Sequence, residues 1–389
     1  MSLQQNLDAV LGSATAAGTI PGIAALVTDA DGTVYLNAFG ERELGSGQAM
    51  TPDTVFWIAS MTKAVTGVAA MQLVEQGRLD LDAPARNVLP EIGELQVLDG
   101  FDADGRPRLR APVRDITLRH LMTHTSGCVY DMWSDDIARC VQLGGIPPIG
   151  SRKRAALKLP LLFDPGTRWE YGTGIDWIGL MVEAVSGQTL GEWFAERIFA
   201  PLEMTSTGFA LSDDMRSRRV RMHLRAADGS LSPQPETAPL EAPEFEMGGG
   251  GLFGTVEDYG RFIRMILNRG QANGHQVLRP ETVAQMSVNQ MGDSRVTMLR
   301  SAGGVSNDAE FFPGIEKSWG LSFMINEQDA PTGRAAGSLA WAGLANTYYW
   351  IDPKTGIGGV YATQILPFAD DAALPHYLAF EKAVYDGLN

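Results

Sequence analysis

The sequence predicts a two-part fold: an α/β domain on an antiparallel sheet flanked by helices, with a helical domain inserted into it. Three observations carry that expectation. Apolar runs separated by turn residues lie near both ends of the chain, and helical patterns broken by Gly and Pro fill the middle. The length of 389 residues, with 44% apolar and 20% charged, suits a soluble globular chain with room for two or three domain-sized units. The boundaries fall so that 1–80 and 245–389 form the discontinuous α/β domain and 81–244 the helical one.

The elements follow in order. Leu3, Leu7, Val10 and Leu11 recur at helical spacing, and "GIAALVTDADGTVYLNAFG" then gives two apolar runs about an Asp31-Gly32 turn, a hairpin signal. From about Leu81 to Glu244 the pattern changes to short helices and breakers, among them "DITLRHLMTHTSG" and "TGIDWIGLMVEAVSGQTLGEWFAERIF". The Pro-rich "SPQPETAPLEAPEF" closes that insertion as a loop. "GGGGLFGTVEDYGRFIRMILNRG" starts a capped helix at Thr255, with Asp258 three residues on and Gly270 beyond its end. "WGLSFMIN", "GSLAWAGLANTYYWID" and "GIGGVYATQIL" read as three strands, and a helix around "LAFEKAVYDGL" follows them.

Charge and composition exclude several function classes. Lys plus Arg total 31 against 46 Asp plus Glu, and a net charge of −15 repels phosphate backbones, so nucleic acid is not an expected partner. No run of 18 or more apolar residues appears, and "MSLQQNLDAVLGSATAAG" lacks the basic head and apolar block of a signal peptide. A cytoplasmic protein without membrane contact is expected. Cys128 and Cys140 make neither a disulfide framework nor a metal spacing, and five scattered histidines form no ligand cluster. His120 and His124 stand at i and i+4 but lack a third ligand, and a structural helix end is the expectation there.

The chemistry centres on "FWIASMTKAVTG". Ser60 and Lys63 stand three residues apart at a helix start, before an apolar turn in which a lone ammonium would cost several kcal/mol. An alcohol is a weak nucleophile until a base takes its proton. A lysine one turn away can be that base if burial lowers its pKa, and the unpaired N–H groups and positive dipole end of a helix start favour an acyl-transfer oxyanion. Ser60 as a plain helix cap, with Lys63 reaching water, fits the pair equally well.

The surrounding pattern resembles the serine β-lactamase and penicillin-binding protein superfamily, whose S-x-x-K supplies the acylated serine, here "SMTK". It resembles more closely the class C β-lactamase-like esterases, the family VIII carboxylesterases. "VFWIASMTKAVTG", "LRHLMTHTSG", "DPGTRWEYGTGIDWIGLMVEAVSG", "GGGGLFGTVEDYGRF" and "AWAGLANTYYW" occur in that family's order across nearly the whole chain. The resemblance implies a β-lactamase-like fold with Ser60 in the cleft between the domains.

It also implies the remaining roles. A tyrosine shares the base role in a Y-x-N or related motif, matched by Tyr171, Gly172 and Thr173, with a hydroxyl where an amide is usual. A tyrosinate beside an ammonium is expected to titrate below its free value. The third motif, K-T-G in penicillin-recognising relatives, is matched by Trp341, Ala342 and Gly343, and the N–H of Leu344 would join that of Ser60 as the oxyanion hole. Trp341 in place of a cation favours uncharged esters, with Trp341, Gly343, Thr173 and Asp176 as substrate-binding residues. Longer acyl chains are expected to be poorer if Trp341 and the glycine run bound the cleft. No metal or cofactor is called for.

Two decoys compete. "WSDD", Ser134 to Asp136, resembles an S-D-N motif but reads as a solvated acidic loop. "DPKTG", Asp352 to Gly356, holds a literal K-T-G in a hairpin turn. The glycine run Gly248 to Gly251 lacks the Lys-Ser/Thr of a phosphate loop, and no serine has Gly two residues before and after it, so the α/β-hydrolase elbow is absent. The expectation is a serine carboxylesterase for short-chain, neutral carboxylic esters, working through an acyl-Ser60 intermediate on a small-molecule substrate. The alternatives are a β-lactamase or D-amino-acid peptidase, an acyltransferase, or a non-hydrolytic penicillin-binding protein. The sequence leaves the oligomeric state open.

Overall fold

The computed structural model describes residues 2–235 and 243–388, so the middle of the expected Pro-rich loop lies outside the described residues. Helix α1 (Leu3–Ala16) starts on a capping box between Ser2 and Gln5. Strands β1 (Gly22–Thr28) and β2 (Thr33–Gly40) form the expected hairpin, its turn held by Asp29, whose Oδ1 accepts the N–H groups of Asp31 and Gly32.

Five further strands come from the C-terminal part: β3 (Lys317–Trp319), β4 (Met324–Asn326), β5 (Leu339–Gly343), β6 (Thr347–Asp352) and β7 (Ile357–Ala362). They join the hairpin in the order β3-β4-β5-β6-β7-β1-β2, antiparallel throughout. Three strands were expected here. Two of the expected runs each contain a hairpin, and because β5, β6 and β7 are buried at every position they lack the alternation that marks where a half-exposed strand ends.

Helices cover both faces. Gly12 of α1 lies against Phe39, which pairs with Ile23, whereas Leu26, on the opposite pleat of β1, fills the space at Gly260 of helix α4 (Val256–Leu267). Thr255 caps α4 by accepting the N–H of Asp258, as expected. The terminal helix α5 (Ala373–Leu388) packs beside α1.

Helix α2 (Thr62–Glu75) is buried from Thr62 to Leu73 and packs against helix α3 (Gly174–Ser186). An all-buried helix belongs in the middle of a protein rather than on its surface. The segment 81–244 is less purely helical than expected, since 97–101 pairs with 107–110 and 223–225 pairs with 231–233. One continuous apolar core links the sheet, α2 and α3. Among the described residues no helix is long and apolar enough to cross a membrane.

Candidate active site

Ser60 sits in a single 3-10 turn, Ala59–Met61, that leads directly into α2. Ala59 has φ 44°, a left-handed conformation that costs a non-glycine residue free energy. Buried on all sides, that turn lifts Ser60 half-exposed into the cleft. The end of β5 lies alongside, and Gly343 is required for the approach: a Cβ there would stand 2.4 Å from the Ile58 carbonyl oxygen and 2.2 Å from Thr347 Oγ1. Gly343 therefore packs sheet against nucleophile turn, a different duty from the substrate binding expected of it.

One turn on, Lys63 is 1% exposed. Its Nζ lies 3.1 Å from Ser60 Oγ, 3.0 Å from Tyr130 Oη and 2.5 Å from the Gly249 carbonyl oxygen. Burial pulls its pKa down towards neutrality, with Asp176 opposing, so a neutral amine able to accept a proton is accessible near neutral pH.

The side chain of Tyr171 lies beside Ser60, and its ring lies 4.7 Å from Lys63 Nζ. Burial raises its pKa above the ordinary phenol value, while its polar contacts with Ser60 and Trp341 pull the other way. The depressed tyrosinate expected from sequence is thus corrected. Desolvation is the largest cause, so Tyr171 rests as a phenol, and Lys63, drawn towards neutrality, is the candidate base.

The structure relocates three of the expected substrate-binding residues. Trp341 lies below the cleft and donates from Nε1 to Tyr171 Oη at 2.9 Å, so it touches the tyrosine rather than the cavity. Asp176 is fully buried in the first turn of α3, where Oδ1 accepts the Gly249 N–H at 2.8 Å and Oδ2 accepts the Tyr130 hydroxyl at 3.5 Å, at the long limit of such a bond. Thr173 is 2% exposed and spends its N–H on the Cys128 carbonyl. Leu344 does line the cleft beside Ser60, where their two amides are the candidate oxyanion hole.

Tyr130 was not expected. No motif marks it; the Thr173–Cys128 and Tyr130–Tyr171 backbone hydrogen bonds lay its segment against the Tyr171 segment and bring both rings to Lys63. The glycine run is tied to α2 through Thr66 Oγ1 donating to Gly248 O and to the cleft wall through Trp57 Nε1 donating to Gly250 O.

The other candidates have structural duties. Ser134 caps the helix Asp135–Gly144, so "WSDD" is a helix start and not a loop. Asp352 Oδ1 accepts the N–H groups of Lys354 and Thr355 in the expected turn. His120 closes a capping box with Thr117, and His124 packs on Tyr171 at 4.6 Å and on Trp319 at 4.9 Å. Burial and the nearby Lys63 hold His124 well below the usual imidazole range.

Ser60 opens on a cavity of about 430 Å³ walled by Trp57, Met132, Trp133, Ile149, Val305 and Leu344, among others. Among the described residues its wall carries Asp131 but no lysine or arginine. A second cavity of about 520 Å³ adjoins it, sharing Trp57, Gly150, Met247 and Gly250, and is lined further by Arg152, Gln234 and Gln364.

Known proteins resemble this chain throughout its length. The family model described as Beta-lactamase matches residues 7–383. A lovastatin esterase from Penicillium rubens is 33% identical, the match covering 97% of this chain and 98% of that one. A monacolin J acid methylbutanoyltransferase from Aspergillus terreus is 31% identical over 94% of this chain and 92% of its own. Among solved structures, a simvastatin synthase mutant from Aspergillus terreus superposes with a TM-score of 0.85 at 32% identity, covering 98% of this chain and 96% of that chain.

Proposed function

The chain belongs to the β-lactamase family, in its branch of serine hydrolases and acyltransferases, and from that premise we propose that it is a carboxylesterase of the family VIII type acting on neutral esters. The observation that carries this reading is a buried lysine with a lowered pKa, 3.1 Å from a serine that faces an apolar cavity without a cation.

The chemistry runs in two matched halves. Lys63, as the neutral amine, takes the Ser60 proton while Oγ attacks the ester carbonyl carbon, and the N–H groups of Ser60 and Leu344 hold the oxyanion. The intermediate collapses, the alkoxide leaves, and the proton on Lys63 returns to it, relayed by the Tyr171 hydroxyl that contacts Ser60. Water then gives its proton to Lys63, attacks the acyl-enzyme and releases the acid.

A second reading, acyl transfer to an alcohol, is favoured by the adjoining cavity, which offers an acceptor a place beside the acyl group. Ser60→Ala tests the shared chemistry: ester turnover should fall by orders of magnitude, while losing one hydroxyl at a helix start costs only about 1 kcal/mol of stability. An alkyl phosphonate should add once to the wild type, at Ser60 by peptide mapping. Retained turnover in the variant, or an adduct elsewhere, overturns the assignment. Repeating the assay with an added primary alcohol separates the readings by whether acid or new ester accumulates.

A further inference from the structure

The mechanism above leaves a fully buried carboxylate unused. Asp176 touches neither the cavity nor Ser60, yet it holds two of the groups that surround Lys63. The Gly249 N–H donates to Asp176, and the Gly249 carbonyl accepts from Lys63, so the backbone of one residue bridges the two side chains. Tyr130 bridges them a second time, its hydroxyl lying 3.0 Å from Nζ and 3.5 Å from the carboxylate. The fit is close: a Cβ on Gly249 would stand 2.4 Å from Asp176 Oδ2.

The directions of these hydrogen bonds matter more than their number. A neutral amine has two N–H donors and one lone pair. The Gly249 carbonyl can only accept, so it takes one N–H. A carboxylate also only accepts, so Asp176 turns the Tyr130 O–H towards itself and leaves the tyrosine oxygen to receive the second N–H. What remains is the lone pair, and the one partner left for it is Ser60 Oγ–H. We propose that Asp176 is a positioning residue that, through Tyr130 and Gly249, fixes the hydrogen-bond polarity around Lys63 so that the amine lone pair faces the nucleophile. The proposal rests on the acyl-serine reading above and names what makes Lys63 a base for Ser60 in particular.

Asp176→Asn keeps the shape and reverses the polarity. The amide oxygen can still accept from Gly249, but its NH₂ donates to Tyr130, whose hydroxyl hydrogen then turns on the lysine lone pair. With a neutral ester, kcat should fall about a hundredfold, the scale of a misdirected general base, with KM nearly unchanged because Asp176 is outside the cavity. The pH profile adds a readout that packing alone would not move. Lys63 is faced by Ser60 on its own segment, by Tyr130, Tyr171 and His124, and by Asp176 from α3, with Asp131 behind Tyr130. The carboxylate of Asp176 is the charge that favours the ammonium, so removing it lowers the lysine pKa and moves the acid limb of kcat/KM to lower pH.

A fallen plateau together with a shifted limb supports the proposal. An unchanged kcat, or a fallen kcat with the limb in place, overturns it. Should Asp176→Asn fail to fold, Tyr130→Phe decides instead: it removes the bridging oxygen, and kcat must fall at least about tenfold with the thermal midpoint held. An unchanged kcat there also overturns the proposal. Phosphonate labelling of Ser60 in the wild type reports separately on the esterase reading, so failure of one is distinguishable from failure of the other.

Discussion

Trp341 has a different duty from the one the sequence led us to expect. The resemblance puts it where a substrate-holding cation is expected, but its indole N–H is spent on Tyr171 Oη at 2.9 Å and the side chain is 5% exposed. Indole is a donor only, so this bond claims a tyrosine lone pair and leaves the phenol hydrogen for the serine side of the ring. Trp341→Phe keeps most of the packing against Trp319 and Phe311 and removes one buried hydrogen bond, worth about 0.5–1.5 kcal/mol. Steady-state kinetics on a neutral ester should show kcat lowered about three- to tenfold with KM little changed. A raised KM at constant kcat would return Trp341 to the role of a substrate contact. At this scale the sequence was legible for Ser60, Lys63 and Tyr171, which converge as their spacing and order imply. Tyr130 was illegible because its partner segment lies some forty residues on, joined by backbone hydrogen bonds that no local pattern encodes.

At the scale of elements, the nucleophile turn and the end of β5 behave as one unit, since the turn holds Ala59 in a left-handed conformation only while neighbours hold it there. Gly343→Ala puts a methyl group against the backbone of Ile58 and must displace one partner. Overpacking of this kind costs about 1–3 kcal/mol, and a shift near 1 Å at a reacting group costs roughly a hundredfold in rate. The expected result is a lowered thermal midpoint with a disproportionate loss of kcat. Gly32→Ala, at a site with no atom within 4 Å of the new Cβ, should leave both unchanged. If Gly343→Ala is as active as the wild type, the turn does not depend on β5. The break between β5 and β6 falls at Leu344–Asn346, between strands buried at every position, and its local signal is Asn346 at φ 60°, a conformation asparagine tolerates. The β1–β2 hairpin was legible because Asp29, Asp31 and Gly32 punctuate it.

The whole molecule decides which ester fits, because the cavity wall is drawn from segments far apart in the chain: Trp57 before α2, Met132 and Ile149 from the insertion, Met247 beside the glycine run, Val305 before the late strands and Leu344 after β5. No single motif could reveal its size. The sequence expectation of a cleft closed by Trp341 and the glycine run holds only for Gly250, which lines the cavity; Trp341 lies beneath. A space of about 430 Å³ with an apolar wall has room beyond an acetyl group. Each methylene buried there contributes about 0.8 kcal/mol, so going from acetate to butyrate should gain about 1.6 kcal/mol, or roughly fifteenfold in kcat/KM. Across a series of p-nitrophenyl esters we therefore expect kcat/KM to rise from acetate to butyrate and to fall only once the chain outgrows the cavity. Narrowing the wall with Ala138→Phe should move that optimum to shorter chains while leaving phosphonate labelling of Ser60 intact. If acetate is instead the best substrate of the wild type, or if the optimum ignores Ala138→Phe, the acyl group is held somewhere other than in this cavity, and the adjoining cavity lined by Arg152, Gln234 and Gln364 becomes the acyl site.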